Sequence, residues 1–434
     1  MAEVTDISPA AQEKATQEVP LWSLYRPAQR WWFLAILFLV SLSSYIDRHV
    51  VSVLIEPIKR EFGASDTMMG LLGGFAFAVF YALLGIPVAR LADRGNRKLV
   101  ITASLFVWSV MTVVCGLARS FPQLLLARVG VGAGEAGAIP PAQSLIADYF
   151  PPEQRARALG IFFASATAGY LIAFIVGSHL AAEHGWRTAF IALGAPGLLL
   201  CLLTWFGLRE PRSERRPAQQ EPLATTLRQL AGKRTFVLLC ISAILYWLVA
   251  YGVVLWFPAY LIRVMGVDIA DIGIVYGTLA AIGALIGSVG GGYVMDLAAR
   301  RGPRAAVRVP AAILVCVMPI FQIGLVSDDI RIFYAASFLG GIGLSAAVPA
   351  YFTILHQVCG SARRAMAVAI LFFFANLIGL GLGPVITGAL SDAFSASYGP
   401  VGLRYALMIA LSILAAAGLV LWAAANSVEM DSEP

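Results

Sequence analysis

The segment that decides the fold, residues 31–56, reads WWFLAILFLVSLSSYIDRHVVSVLIE. It is apolar and long enough to cross a bilayer, which takes about 20 helical residues. Asp47 and Arg48 interrupt it side by side. Because a charge near the bilayer centre costs roughly 2.5–3.5 kcal/mol on insertion scales, such residues usually face a protein interior or a water-filled path. The pair therefore predicts a polar route through an embedded bundle.

The composition of the 434 residues is that of a membrane protein. Hydrophobic residues make up 59% of the chain, charged residues 13%, and the mean hydropathy is +0.80, whereas soluble domains are about 25% charged. The five cysteines lie in or beside apolar segments without metal-ligand spacing, which favours buried thiols over disulfides or a metal site. The polar first 30 residues do not resemble a signal peptide, so insertion is expected to rely on the first span.

Apolar runs of span length recur along the whole chain. They lie near 31–56, 68–89, 99–118, 121–143, 157–181, 188–208, 236–262, 271–295, 306–326, 331–356, 365–390 and 403–425. A β-barrel would instead show alternating segments of about 10 residues. We therefore predict an all-α membrane protein with twelve transmembrane helices in two pseudo-symmetric six-helix halves. The halves would be 31–208 and 236–426, with tails at 1–30 and 427–434.

The distribution of Lys and Arg predicts the orientation. If the N-terminus is inside, the inner segments hold 22 basic residues and the outer loops hold 7. By the positive-inside rule both termini are cytoplasmic, in the inner (plasma) membrane. This topology explains the net charge of +6 without a nucleic-acid partner. Within the linker 209–235, leucines at helical spacing beside basic residues fit an amphipathic helix on the membrane surface; a plain linker is the alternative.

Local features of the first half return in the second. Residues 89–93 match 292–296, and Gly185-Trp186-Arg187 matches Gly402-Leu403-Arg404. A parallel repeat of two six-helix halves is typical of secondary transporters, whose site lies between the halves near the midplane. The acids that end spans two and eight, each beside basic residues, are either part of ordinary inner loops or a charge latch, made in one state and broken in another. Their repetition favours a latch, with candidate residues Asp93, Arg94, Arg97, Asp296 and Arg300.

Span four carries two further charges, Arg128 and Glu135. They are seven residues apart and so share a helix face, at depths close to those of Asp47 and Arg48 when a helix rises ~1.5 Å per residue. We expect Asp47 to pair with Arg128, and Arg48 to pair with Glu135. A network that merely joins spans one and four is the alternative. Since buried ion pairs stabilise poorly compared with apolar packing, we favour a functional role in which Asp47 and Glu135 load and release a proton.

Two motifs point away from nucleotide chemistry. The string GAGEAG at 132–137 satisfies G-x-G-x-x-G but lies in an apolar helix without a βαβ unit. Glycines at four-residue spacing favour close helix packing instead. The sequence contains no G-x-x-x-x-G-K-[ST] phosphate-binding loop, so the chain is not expected to hydrolyse ATP. We expect no enzymatic activity, no cofactor and no metal.

The second half offers aromatic rather than charged side chains. The cores of spans seven to eleven contain no Asp, Glu, Lys or Arg. A site with cations on one wall and aromatic rings on the other suits an amphipathic or organic anionic small molecule. From this half we select Tyr246, Tyr251, Tyr351 and Asn376 as candidate substrate-binding residues.

Across residues 25–426 the sequence resembles the major facilitator superfamily. The segments 45–48, 91–98 and Arg128 with Gly134-Glu135-Ala136 look like its spinster family, although Ala89 stands where the superfamily usually has Gly. The resemblance implies proton-linked transport of lysophospholipid- or sphingolipid-like substrates. It implies proton coupling at Glu135 and Asp47 and substrate binding at Arg48 and Arg128, and we add Tyr45 from the same motif.

Other functions stay open. The Asp-Arg pair, the Gly-Glu-Ala motif and Pro140 are also similar to anion:cation symporters, so a proton-coupled sugar-acid or carboxylate symporter, or a drug exporter, is an alternative. A non-transporting membrane sensor or scaffold is the alternative from another class. The expected partners are a small-molecule substrate, protons and the lipid bilayer, with the protein acting as a monomer.

Overall fold

The computed structural model describes residues 20–211 and 223–432, and within these ranges it contains helices and no strands. Three helices include a π-helical turn: α2 (Asp66–Gly70, Leu71–Phe75, Ala76–Arg94), α9 (Ile269–Asp271, Ile272–Gly277, Thr278–Arg300) and α13 (Ala375–Leu380, Gly381–Tyr398). The other helices are α1 (Pro27–Phe62), α3 (Arg97–Leu117), α4 (Phe121–Glu135), α5 (Ile139–Tyr149), α6 (Pro152–Gly207), α7 (Leu223–Ala231), α8 (Arg234–Arg263), α10 (Pro303–Val326), α11 (Ile330–Ala346), α12 (Val348–Phe374), α14 (Gly402–Ala424) and α15 (Val428–Asp431).

Nine helical stretches of the described chain are long and apolar enough to cross a membrane. Two of the helices contain a sharp break at a glycine with a positive φ. Gly185 has φ 80° and ψ 162° inside α6, and Gly360 has φ 61° and ψ 167° inside α12. An unbroken α6 of 56 residues would be about 84 Å long, far more than the ~30 Å hydrocarbon core. The glycine conformation, which other residues rarely adopt, divides it.

Most helix packing stays on one side of the segment 208–233. Before it, α1 and α3 pack against α6; after it, α8 and α10 pack against α14. Among the described residues, the main contacts between the two groups are those of α1 with α8, α2 with α13, and α6 with α9. We call this boundary the seam. The four buried charges of spans one and four all lie on the first group of helices.

Glycines allow backbones to touch where the sequence analysis expects close packing. A Cβ added to Gly134 would lie 2.7 Å from the Trp108 main-chain nitrogen, which fixes α4 against α3. A Cβ on Gly287 would lie 2.2 Å from the Ile342 carbonyl oxygen, which fixes α9 against α11. The four-residue glycine spacing therefore encodes helix contacts, and the G-x-G-x-x-G string covers the end of α4 and the turn that follows it, without any strand of a nucleotide site in the described chain.

Candidate functional site

Four charged side chains lie inside the first group of helices. Asp47, Arg128 and Glu135 are each only 1% exposed, and the Arg48 side chain is 10% exposed. Asp47 and Arg48 are in the middle of α1; Arg128 is inside α4 and Glu135 is its last residue. α4 ends there because Pro140 and Pro141, at the start of α5, cannot donate main-chain hydrogen bonds.

The structure brings Arg48 and Glu135 together. Arg48 Nη2 lies 2.7 Å from Glu135 Oε2, and the Ser44 hydroxyl donates to the same oxygen at 2.7 Å. The Arg48 cation also lies at the carboxyl end of α4, where the helix dipole favours positive charge. Ser44 is one helical turn before Arg48 and therefore on the same face of α1. The sequence analysis did not select it, although this spacing could have identified it.

The structure does not join Asp47 and Arg128 through their side chains. Arg128 Nη1 instead donates to the main-chain carbonyl oxygen of Asp47 at 3.1 Å. Among the described residues, neither Asp47 carboxylate oxygen accepts a hydrogen bond, and Arg128 Nε and Nη2 have no acceptor. The expected ion pair is therefore replaced by a side-chain to main-chain bond. That bond holds α4 to α1 and leaves the carboxylate unused.

Further buried polar atoms without partners come from α3. Within the described chain they are Trp108 Nε1, Ser109 Oγ and Thr112 Oγ1, while Glu135 Oε1 and Arg48 Nε are unpartnered in the same way. A buried polar group without a hydrogen bond costs about 1–3 kcal/mol. Such a concentration in one half of a bundle is unusual for a purely structural core. The site can therefore accept protons, water or a polar ligand.

Aromatic rings cover the two arginines. The Arg48 guanidinium lies 4.9 Å from the centre of the Phe77 ring and 5.0 Å from that of Tyr81. It lies 5.5 Å from the ring of Tyr45, and Arg128 lies 5.6 Å from the ring of Phe77. Cation–π contacts of this kind hold a desolvated cation without neutralising its charge. Arg48 is paired with Glu135, whereas Arg128 keeps guanidinium N–H groups free for an anion among the described residues.

The selected residues of the second group divide into two kinds. The Tyr246 hydroxyl donates to the Leu344 carbonyl at 2.9 Å, and the Tyr351 hydroxyl shares a 2.9 Å hydrogen bond with Ser242. Asn376 donates to the Phe372 carbonyl one turn earlier, at 2.8 Å. Tyr251 stacks on Trp247 with ring centres 5.5 Å apart. Tyr246, Tyr351 and Asn376 thus hydrogen-bond within the second group, whereas Tyr251 makes a ring contact.

A cavity of about 270 Å³ lies at the seam beside these residues. Its wall is formed by parts of α1, α6, α8, α9, α10 and α11 and is mostly hydrocarbon. The lining residues are His49, Ala166, Thr167, Tyr170, Val253, Val254, Phe257, Tyr276, Ala280, Ala281, Ala284, Phe321, Ser337, Gly341, Leu344 and Ser345. The arrangement thus places an apolar chamber next to a charged wall.

A second charged cluster, which we call the seam cluster, joins the two groups of helices at the end of the bundle where α1 terminates. It consists of Glu56, Lys59, Asp66, Arg263, Ser391 and Asp392. Arg263 of α8 lies 2.6 Å from Asp66 and also contacts Glu56. The Asp392 carboxylate of α13 accepts from the main-chain nitrogens of Asp66 and Thr67, both at 2.8 Å. Residues of α13 and α8 therefore hold the start of α2.

The sequence analysis missed the seam cluster. It treated Lys59 and Arg263 only as loop charges that set orientation. The available signal was a set of carboxylates at the edges of apolar spans, Glu56, Asp66 and Asp392. That signal gives no pairing, because the partners are up to 326 residues apart in the chain.

At the opposite end of the first group, Arg97 lies among acids. Its guanidinium contacts Asp148 at 2.7 Å and Glu210 at 2.8 Å. The side chain of Asp93 lies outside the described part of the structure. Arg94, Asp296 and Arg300 are exposed, and no ion pair within the described residues includes them. Among the latch candidates whose side chains the structure describes, Arg94, Arg97, Asp296 and Arg300, none lies in an ion pair with another.

Residues 37–326 of the chain match the family model of the Major Facilitator Superfamily. The chain belongs to this superfamily. An MFS-type efflux pump of Mycolicibacterium smegmatis is 31% identical over 399 residues, covering 91% of this chain and 92% of the pump. Protein spinster homolog 1 of Xenopus tropicalis is 28% identical over 424 residues, covering 91% of this chain and 80% of that protein.

A solved structure agrees with these relatives. The crystal structure of a bacterial homolog to the human lysosomal transporter Spinster, inward-facing and unoccupied, has a TM-score of 0.87 and 31% identity, covering 94% of this chain and 100% of that one. The resemblance to the superfamily and to its spinster members is thereby confirmed. This member of the superfamily is an integral membrane protein, and its relatives and fold are those of transporters rather than enzymes.

Proposed function

We propose that this superfamily member moves an amphipathic or organic anion across the membrane by alternating access, coupled to protons. The observation that carries the proposal is the buried Arg48–Glu135 ion pair beside an unpartnered Asp47 carboxylate. The pair borders a seam between two groups of helices. A charged wall, an apolar cavity and a seam between moving parts are the components that such a transporter needs.

The helices support twelve spans in two halves. Nine stretches qualify by length and hydropathy, and two of them, Pro152–Gly207 and Met366–Ala424, are long enough to cross twice. The pair α4 and α5, interrupted only at 136–138, supplies one more crossing. We propose halves at 31–208 and 236–426, joined by a cytoplasmic linker that includes α7, with both termini cytoplasmic and the protein a monomer in the inner membrane.

We propose that the bundle is closed on its outer side. With the N-terminus inside, α1 ends outside, so the seam cluster lies on the outer face. Its ion pairs and hydrogen bonds close the seam there. The solved structure with a TM-score of 0.87 was described as inward-facing, which supports the same state for this chain. The proposed latch of Asp93, Arg94, Arg97, Asp296 and Arg300 would then act at the inner face, in the state that is open to the outside.

The proposed coupling is an exchange of partners at Arg48. An anionic head group that binds Arg48 competes with Glu135 for the same guanidinium. A Glu135 carboxylate that loses this partner is an uncompensated buried charge, which costs several kcal/mol. It therefore takes up a proton when the anion binds and gives it up when Arg48 returns. Asp47 precedes Arg48 in the chain, and its carboxylate has no hydrogen-bond partner among the described residues, so it provides a second proton carrier.

The apolar cavity favours a single-chain lipid anion such as a lysophospholipid or sphingolipid-like molecule. Arg48 and Arg128 would hold its head group, with Tyr45 and Tyr251 beside it. The hydrocarbon chain would enter the cavity next to Tyr170 and Phe257. A small hydrophilic acid would leave this hydrocarbon wall unused. The bulk of the cavity therefore supports an amphipathic substrate over a sugar acid.

The experiment uses purified protein in proteoliposomes with an imposed pH gradient. Uptake of fluorescent lysophosphatidate is measured for wild type, Glu135→Gln and Asp47→Asn. We expect the gradient-driven component to be lost in both variants, because neither side chain can then exchange a proton. Glu183→Gln, an exposed residue with a 54% exposed side chain, is the matched control and should transport normally. Wild-type, pH-dependent flux in both buried variants would refute the coupling role.

The alternative functions give different results in the same vesicles. A sugar-acid symporter would take up D-glucuronate and ignore lysophosphatidate. A drug exporter would carry uncharged or cationic amphiphiles as well; the Mycolicibacterium relative is named an efflux pump. A sensor or scaffold would bind a ligand without any flux.

A further inference from the structure

Three consecutive residues of α1 face three different surroundings. Successive helical residues are rotated by about 100°. The Asp47 carboxylate is buried without a hydrogen-bond partner among the described residues, Arg48 pairs with Glu135, and His49 lines the seam cavity. His49 is therefore the cavity-lining residue that directly follows the charged pair in α1.

The His49 ring is held in place by aromatic contacts alone. Its centre lies 5.1 Å from that of Tyr170 in an edge-to-face arrangement and 6.3 Å from that of Tyr45 in a stacked one. Within the described part of the chain, neither ring nitrogen takes part in a hydrogen bond. An imidazole can form a hydrogen bond through each of its two nitrogens. His49 is half-buried, and its ring nitrogens are not among the buried polar atoms without partners, so they are open to a ligand or water in the cavity.

The rest of the cavity contains few polar groups. They are the hydroxyl groups of Thr167, Tyr170, Tyr276, Ser337 and Ser345, on the helices that face α1. The volume of about 270 Å³ corresponds to roughly nine water molecules at liquid density. It is enough for part of an alkyl chain. Of the residues that line the cavity, His49 is the one adjacent to Arg48 in the chain.

We propose that His49 determines substrate specificity. Its imidazole hydrogen-bonds a hydroxyl or amide group carried on the chain of the substrate, close to the anionic head group held at Arg48. A purely hydrocarbon chain fits the same cavity but leaves the imidazole unsatisfied. This inference rests on the proposed function, because it assumes that an anion occupies the site next to Arg48.

The test compares two probes in nanodiscs, n-dodecyl phosphate and its 2-hydroxy derivative, by titration calorimetry. Wild type should bind the hydroxylated probe about five- to tenfold more tightly, the contribution of one added hydrogen bond. His49→Phe keeps the aromatic packing and should bind both probes with the same affinity as wild type binds dodecyl phosphate. His49→Gln, which can still hydrogen-bond, should recover part of the preference. His184→Phe, at an exposed histidine, is the control and should keep the full preference.

The possible results distinguish a failure of this inference from a failure of the proposed function on which it rests. If His49→Phe binds both probes and keeps the preference for the hydroxyl group, the inference is overturned and the proposed function stands. If wild type binds both probes equally, the inference is likewise overturned alone. If wild type binds neither probe, both the proposed amphipathic anion and the role of His49 are overturned. Loss of preference in His49→Phe together with partial recovery in His49→Gln supports the inference.

Discussion

Asp392→Asn is expected to open the outer side of the bundle. The Asp392 carboxylate accepts three hydrogen bonds across the seam, from the Asp66 and Thr67 main-chain nitrogens at 2.8 Å and from the Thr67 hydroxyl at 2.6 Å. Asparagine keeps one acceptor oxygen and places an N–H₂ group where the second oxygen was. At least one charge-assisted bond is lost, and each such bond contributes about 1.5–3 kcal/mol. Since ~1.4 kcal/mol is a factor of ten, the closed state should lose roughly 10- to 150-fold in relative population.

Electron–electron distance measurements between spin labels provide the assay. Exposed positions Arg60, near the end of α1, and Ser397, near the end of α13, are suitable labelling sites on opposite sides of the seam. They would be replaced by cysteine in a background that carries Cys316→Ser, since Cys316 is the exposed native thiol among the described residues. Wild type should give one short distance. Asp392→Asn should add a longer distance whose amplitude reports the shifted equilibrium.

The matched control is Asp328→Asn. Asp328 is also an acid at this end, with an 87% exposed side chain, and it pairs at 2.6 Å with Arg404 of the same helix group. Its loss removes an ion pair that does not cross the seam, and an exposed pair contributes only about 0–1 kcal/mol. An unchanged distance distribution in Asp392→Asn, or an equal change in Asp328→Asn, would refute the reasoning that the cross-seam bonds hold this end closed.

Two further predictions concern packing and the aromatic wall. Gly287→Ala should lower the midpoint of thermal unfolding in a detergent thermostability assay. The new Cβ would lie 2.2 Å from the Ile342 carbonyl oxygen, and overpacking costs about 1–3 kcal/mol. The control Gly290→Ala places its Cβ in open space and should leave the midpoint unchanged. Tyr246→Phe removes a hydroxyl hydrogen bond and should lose about 1 kcal/mol of stability while transport is retained. Tyr251→Phe should weaken substrate binding without a change in thermal stability. If paired melting and binding assays gave the opposite results for the two variants, the roles assigned to the two tyrosines would be wrong.

The sequence predicted those features that depend on local pattern and depth. An all-helical membrane fold follows from apolar runs, and the superfamily follows from motifs such as 45–48 and 91–98. The contact between Arg48 and Glu135 follows from similar depth on helices with unpaired charges. The depth of a residue in the membrane could not show that Arg128 would donate to the main-chain carbonyl of Asp47. Every residue has such a carbonyl acceptor, so the sequence does not indicate which one is used.

The contacts across the seam could not be predicted from the sequence for a different reason. Asp392 and Asp66 are brought together only when two groups of helices dock, and neither residue has a local pattern that names its partner. The π-helical turns were not predicted either. Residues 71–75, 272–277 and 375–380 contain no shared sequence signal, yet each lies on a helix that crosses the seam.

The π-helical turns and the seam cluster act on the same boundary. Beside the cluster, a Cβ on Gly70 would lie 2.5 Å from the Pro384 carbonyl oxygen, and one on Gly388 would lie 2.3 Å from that of Asp66. The main chain at the start of α2 thus packs directly on the main chain of α13. Close by, the Asp392 carboxylate accepts hydrogen bonds from the main-chain N–H groups of Asp66 and Thr67. A π-helical turn follows directly in α2, and such turns weaken the regular helical ladder at functional sites. Loss of the Asp392 bonds weakens the hold on the segment before this turn, which Arg263 still contacts through Asp66. We therefore expect opening on the outer side to bend α2 at 71–75, so that the charged site on α1 and α4 keeps its geometry while the seam opens.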